Sequence, residues 1–326
     1  LPGNQRERRV ALRKLYGGLA EDWEEPAEPV ADPIVPVRPE PLPKTTAQTV
    51  TAPNWPLSAE QARQLQAAAG AGTRTVELGD GVTMEFVRIP AGAFVMGDSQ
   101  GAPDEQPVSV VRIDQAFWMA AQEVSNQQFA RFDSSHDSRF EHRSSWIFSQ
   151  EYLGWPLNRP RQPVVRVSWP EALAFCRWLA AKLGEDVSLP TEAQWEYACR
   201  AGTATRFSYG HLNTDFSAFA NLADVNLRKL ADEGWCPKAP DLAPRDSRFD
   251  DGALVTIEAG RYRPNAWGLF DMHGNAAEWT RTTYRPYPYL EDDGRNEVSG
   301  AGKKVVRGGS WRDRPKLGRS ASRLGY

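Results

Sequence analysis

Apolar residues in this chain keep a strict two-residue period in one stretch and a helical period in several others. Val82, Met84 and Phe86 alternate with Thr83 and Glu85, which predicts a half-buried strand over Val82 to Ile89. A second run, Thr75 to Leu78, precedes it across Gly79-Asp80-Gly81, so the two are expected to form a hairpin. Pro90-Ala-Gly92 then breaks the pattern ahead of Phe94-Val-Met-Gly97. Helical spacing follows capping boxes, in which a Ser or Thr is answered three residues later by Glu or Gln. Four such boxes start at Ser58 (with Gln61), Ser125 (with Gln128), Ser168 (with Glu171) and Thr191 (with Gln194). Behind Ser168, the residues Ala172, Phe175, Cys176, Leu179 and Leu183 share one face; behind Thr191, Trp195, Ala198 and Cys199 do the same. The helices are short or medium, and long polar connections rich in Gly and Pro separate them. That pattern predicts an α+β fold with much irregular structure, held partly by something other than regular backbone pairing, such as a bound ion.

Composition narrows the class. The chain has 326 residues, 40% hydrophobic and 25% charged, enough to bury a large core. Twelve tryptophans suggest an interior filled by aromatics rather than by long helices. A formal net charge of −3 provides no global field for nucleic acid or an anionic membrane. No run approaches the roughly 20 apolar residues of a membrane span, and no secretory signal opens the chain. Because residue 1 is Leu, a processed or excised start is expected. Cys176, Cys199 and Cys236 are too few for a disulfide framework and lack zinc spacing, so they read as core-filling thiols. His136, His142, His211 and His273 are scattered, and His136 and His142 read as surface residues.

The chain divides by composition into four parts. Residues 1–25 contain a short basic helical segment that ends at Gly17-Gly18; five acidic residues follow from Glu21 to Glu28, across the boundary with the next part. Residues 26–57 read as a proline-rich arm or linker, with seven prolines from Pro26 to Pro43 that forbid helix and interior strand. Residues 58–72 read as a linker helix stopped by Gly70, and residues 73–326 as the globular domain.

Six ordered stretches within that domain carry a resemblance. They are Phe86-Val-Arg-Ile-Pro-Ala-Gly-Ala-Phe-Val-Met-Gly97, Glu123-Val-Ser-Asn-Gln-Gln-Phe129, Pro163-Val-Val-Arg-Val-Ser-Trp169, Leu189-Pro-Thr-Glu-Ala-Gln-Trp-Glu-Tyr-Ala-Cys-Arg200, Asn265 to Trp279, and Arg307-Gly-Gly-Ser-Trp311. Together they resemble the signatures of the formylglycine-generating enzyme (sulfatase-modifying factor) family. The resemblance implies a variant C-type-lectin-like fold, poor in regular secondary structure and stabilised by two calcium ions. One implied site consists of Asn221, the Leu222 carbonyl, Asp251 and the Ala253 carbonyl. The other consists of Asp271, Glu278 and the Gly274 and Ala276 carbonyls. Both sets offer the carboxylate and carbonyl oxygens that calcium prefers, although neither is an EF-hand.

The same resemblance implies catalytic chemistry that this sequence cannot carry. Family enzymes bind copper through two cysteines after the Arg-Gly-Gly-Ser-aromatic motif, and the corresponding positions here are Asp313 and Gly318. Neither offers the soft sulfur that selects Cu(I), so no copper and no catalytic residues are expected. Around those positions, Arg312, Arg314, Lys316, Arg319 and Arg323 gather near Ser310, Trp311 and Asp313, with Tyr284 and Tyr287 upstream. Ser310, Trp311, Asp313, Arg314, Arg319, Arg323, Tyr284 and Tyr287 are the candidate ligand-binding residues, since clustered guanidinium groups suit carboxylate, sulfate or phosphate.

The leading expectation is a calcium-stabilised binding or structural module of a larger protein, with a protein or peptide partner or other domains of the same polypeptide. One alternative is an oxidative enzyme that uses the same groove with another metal or cofactor. A second is a lectin-fold variable ligand receptor, disfavoured because no Asn follows Asn296. Loop-built calcium sites are best filled outside the cytosol, so an extracytoplasmic location is expected. Family members close the sheet with a Gly-Phe-Arg strand. This chain stops at Leu324-Gly-Tyr326, so either a truncated end or another element covering that edge, such as the proline-rich arm, is expected.

Overall fold

The computed structural model describes residues 50–70, 72–141, 154–227 and 245–326. The helix expected in 1–25, most of the proline-rich arm, His142 and Cys236 lie outside them. Thr49–Tyr326 forms one compact unit.

The hairpin forms as the alternation predicts: β1 (Thr73–Gly79) pairs with β2 (Val82–Ile89), with Val76 opposite Met84. Asp80 and Gly81 both take positive φ, 52° and 76°, as a tight hairpin turn requires. Beyond β2 lies β5 (Phe117–Ala120), while β3 (Gly92–Met96) and β4 (Ser109–Ile113) make a separate antiparallel pair. Two-residue strands β6 (Phe140–Glu141) and β7 (Trp155–Pro156) form a third pair. The last sheet has the order β10 (Leu324–Gly325), β9 (Lys304–Arg307), β8 (Glu278–Thr283).

That order corrects the expectation about the edge. Leu324-Gly325 is itself the closing strand, and Lys304 and Tyr326 exchange both backbone hydrogen bonds. Gly325 is required there, because a Cβ would stand 2.9 Å from the Tyr284 ring.

Among the described residues each α-helix begins where its box predicted. They are α1 (Ala59–Ala68), α2 (Asn126–Phe129), α3 (Trp169–Leu183) and α4 (Glu192–Arg200). Ser58, Ser125 and Thr191 each accept from the N3 amide, while Ser168 donates its hydroxyl to Glu171. Helix α3 lays Phe175 and Leu179 on Val76, Leu78 and Met84 of the hairpin. Helix α4 is almost wholly interior, with Trp195, Tyr197 and Cys199 packed among Ile89, Phe94, Met96 and Trp267. Each fully buried large apolar side chain of this kind contributes about 1.5–3 kcal/mol. Cys176 and Cys199 are buried, as expected of core-filling thiols.

The segment read as linker is part of the domain. Trp267 Nε1 donates to the Ala62 carbonyl at 3.0 Å, and Gln66 Nε2 donates to the Arg88 and Trp267 carbonyls at 2.8 and 2.9 Å. Ahead of α1, Leu57 donates its amide to the Gly202 carbonyl, and Ala52 is buried. A low-propensity, proline-punctuated stretch is thus held by contacts that lie far away in sequence.

Candidate functional site

The stretch from Asp271 to Glu278 is a tight loop feeding β8, and three of its residues, Asp271, Gly274 and Asn275, have positive φ. It runs beside Asn221 in a parallel bridge, where the Asn275 amide donates to the Asn221 carbonyl at 2.8 Å. The approach is so close that a Cβ on Gly274 would collide with that carbonyl oxygen. Asn275, fully buried, ties the neighbourhood together. Its Oδ1 accepts from Asn221 Nδ2 and from the Ile257 amide, and its Nδ2 donates to Glu123 Oε2.

Three carboxylates feel one another here. Burial, then the charges of Asp271 and Glu278, push Glu123 well above the usual carboxylate range. Burial raises Asp271 to about 6, and burial followed by Asp271 raises Glu278 to about 7. Glu123 accepts from the Ala276 amide and Glu278 from Trp195 Nε1, but Asp271 Oδ1 is buried without a hydrogen-bond partner. An orphaned carboxylate oxygen among like charges is the environment that a divalent cation relieves. The residues present fit calcium. Among the described residues no group of three His, Cys, Asp or Glu side chains forms a metal cluster, so backbone carbonyls would have to complete the ligand shell.

The first implied set also comes together. Asp251 accepts from the Leu222 and Ala253 amides at 2.9 and 2.8 Å, so one lone pair remains on each oxygen. Asn221 spends its amide nitrogen on the Val255 carbonyl and on Asn275, leaving its carbonyl oxygen for a cation. Burial and then Asp224 push Asp251 to about 7. Sequence reasoning missed Glu123, Asn275 and Asp224. Glu123 and Asn275 lie inside quoted motifs, but nothing local marks them as buried.

The candidate ligand residues divide. Ser310 and Asp313 form a closed turn: Asp313 Oδ2 accepts from the Ser310 amide and hydroxyl at 2.9 and 2.8 Å. Trp311 is buried, with the exposed Arg312 over its ring, and Arg314 and Lys316 are also exposed. Three assignments are corrected. Arg319 donates to both Glu105 oxygens at 2.7 and 2.6 Å and to Asp98 at 3.1 Å. Arg323 donates to both Glu192 oxygens at 2.7 and 2.9 Å, with its guanidinium over the Tyr287 and Tyr284 rings. Tyr287 is buried against the same Glu192 and accepts from Arg307. These side chains are internal counter-ions, because a guanidinium taken out of water must find carboxylates. Tyr284 is half-buried, donating to Asp104 at 2.6 Å.

The second copper position is closed as well. A Cβ on Gly318 would lie 2.9 Å from Leu222 Cδ2. Behind it, the Gly318 carbonyl accepts from His273 Nδ1 at 2.7 Å, and His273 Nε2 accepts from the Ser208 amide at 3.1 Å. Cys199 lies 3.6 Å from His273 Nε2, but burial pushes the thiol up to about 12 and the imidazole down to about 4. Two neutral groups result, not a thiolate–imidazolium pair.

This geometry agrees with sequence comparison, in which the profile of the Sulfatase-modifying factor enzyme 1-like domain matches residues 76–325. The chain belongs to that family. The domain is 32% identical over 267 residues to the formylglycine-generating enzyme of Streptomyces coelicolor, covering 69% of this chain and 78% of that one. It is 30% identical to the bovine formylglycine-generating enzyme over 70% of this chain, and spans 66% of that relative's length. A bovine protein named inactive C-alpha-formylglycine-generating enzyme 2 is 28% identical over 74% of this chain and 80% of its own. Among solved structures, PvdO from Pseudomonas aeruginosa shares the fold at TM-score 0.59 and 24% identity, over 78% of this chain and 92% of PvdO. Treponema denticola variable protein 1 shares it at TM-score 0.56 and 20% identity, over 78% and 93%.

Proposed function

We propose that this chain is a calcium-stabilised binding module of the family that lacks its copper thiolate chemistry and takes a protein or peptide partner. One observation carries the reading. Asp313 turns its carboxylate back onto Ser310, and a side chain at Gly318 would meet Leu222, so neither family position offers sulfur and the second has little room for it. Similarity to a relative named inactive supports the loss of activity. Asp271 and Glu278 with the Gly274 and Ala276 carbonyls would hold one calcium; Asn221, Asp251 and the Leu222 and Ala253 carbonyls would hold the other. The ions would stabilise a C-type-lectin-like variant fold, and their need for calcium favours an extracytoplasmic setting.

A place within a larger polypeptide is part of the proposal. A Chlamydia pneumoniae protein named serine/threonine-protein kinase pkn1 is 28% identical over 71% of this chain, which covers 33% of it. The test combines metal analysis with oxygen consumption on cysteine-containing peptides. Calcium without copper and no oxygen uptake is the expected result. Copper at one equivalent together with peptide oxidation overturns the reading in favour of an oxidative enzyme.

A further inference from the structure

We infer that the cavity beside Trp155 takes a small aromatic carboxylate, its ring against Trp155 and its charge on Arg159, with Arg261 adding to the field; the partner-binding reading above does not need such a site. The cavity encloses about 200 Å³ between residues 155–162 and the loop 252–258. An apolar cavity of about 150 Å³ is filled by benzene, so a phenyl ring with a short arm matches this volume. Trp155, Pro156 and Leu254 supply apolar wall, and Trp155 is itself fixed by packing on the cluster that contains Leu157 and Val255. An indole wall favours an aromatic guest, through offset or edge-on ring contact.

Charge at the cavity has one sign to spare. Arg159 lines it and is exposed, and its guanidinium has no hydrogen bond or ion pair among the described residues. Arg261 is exposed too. Its Nη2 stands 3.6 Å from where a Cβ on Gly252 would lie, and Gly252, a lining residue, has no side chain to screen it. The acids nearby are engaged. Glu258 faces Arg161 at 3.5 Å, Asp250 accepts from Asn226 Nδ2 and the Gly252 amide, and Asp251 accepts from the Leu222 and Ala253 amides. Glu141, opposite Trp155 in register, is held by Arg312 at 3.3 Å. Gln162, the buried amide on the wall, spends Nε2 on the Pro156 and Thr256 carbonyls and Oε1 on the Arg159 amide. The arginines therefore remain for a guest. A planar guanidinium pairs with a carboxylate through two parallel hydrogen bonds, which fixes the ligand's charged end outward and its ring inward.

Titration of the full chain with phenylacetate, followed by saturation-transfer NMR of the ring protons, tests this. Phenylacetate is expected to bind with a Kd of roughly 1 mM, at least tenfold more tightly than phenylacetamide, and acetate should compete only at tenfold higher concentration or more. Arg159→Gln should weaken phenylacetate at least fivefold and leave phenylacetamide unchanged, a split that a general loss of structure would not give. Arg261→Gln should weaken phenylacetate by about twofold, since an exposed charge beside the site is screened by salt. Leu254→Trp, which fills the cavity, should abolish binding of both compounds. Arg112→Gln, on a side chain 71% exposed in β4, should change nothing. Unchanged melting of the variants confirms folding, and if Leu254→Trp does not fold, Arg159→Gln decides. Equal binding of phenylacetate and phenylacetamide, parental affinity in Arg159→Gln, or no saturation transfer at about 10 mM phenylacetate overturns the inference.

Discussion

Arg307 Nη2 lies 2.7 Å from Oε2 of Glu196, and neither side chain has any exposure to solvent. Arg200 reaches the other oxygen of Glu196 at 2.8 Å, and the Gly97 amide donates to it at 2.9 Å. Burial alone would raise this carboxyl, but Arg200 and Arg307 overcome it and hold Glu196 below its ordinary value. Removing the carboxylate leaves the buried Arg200 guanidinium without its acid partner and Arg307 with Glu192, at 3.1 Å, as its remaining one. Glu196→Ala is expected to cost about 3–5 kcal/mol in urea unfolding, and Glu196→Gln, which keeps one acceptor, somewhat less. A loss under about 1 kcal/mol for Glu196→Ala would show the cluster to be solvated.

The close passage of Gly274 under Asn221 predicts a contrast between two glycines. Gly274→Ala places a Cβ against a backbone carbonyl at φ +89°, where neither partner can yield. Expression of folded protein should fall sharply. Gly184→Ala, at φ +66° with open space around it, should cost only about 1 kcal/mol by thermal melting. Equal effects would remove the steric argument.

Metal removal and pH should interact. Asp271 at about 6 and Glu278 at about 7 lie above their unfolded values, as does Glu123. Carboxyls raised in the folded state favour it while protonated, below the unfolded pKa near 4, and that contribution fades as pH rises through 6 to 7. Chelator-treated protein is therefore expected to melt at higher temperature at pH 5.5 than at pH 7.5. Calcium should reverse the order, because it binds the ionised form, adding about 2.7 kcal/mol at a hundredfold excess over its Kd. Identical melting with and without calcium at pH 7.5 would count against the proposed calcium site.

Restoring sulfur should not restore the family chemistry. Asp313 is half-exposed on a turn, so Asp313→Cys should be tolerated at about 1 kcal/mol. Gly318→Cys meets Leu222 at 2.9 Å and should cost about 1–3 kcal/mol by overpacking. The double variant is expected to consume no oxygen with a cysteine-containing peptide. Turnover in that variant would mean that Leu222 moves aside easily.

Local features of this fold were legible because they are written in neighbouring residues. The Asp80-Gly81 hairpin and the four helix starts need only a few adjacent side chains to be read. The ordered motifs carried the family. What the chain alone could not assign was which charges stay in water. Arg319 and Glu105 are 214 positions apart, and Arg323 and Glu192 are 131 apart, so their pairing is invisible until the domain closes. Arg314 and Lys316, from the same basic run, end outside. Likewise Ala62 and Gln66 read as linker, since only tertiary contact with Trp267 gives that helix a buried face. Sequence specified where the backbone turns and which residue types are on offer; desolvation, which depends on partners far along the chain, decided which of them became structure and which remain free to bind.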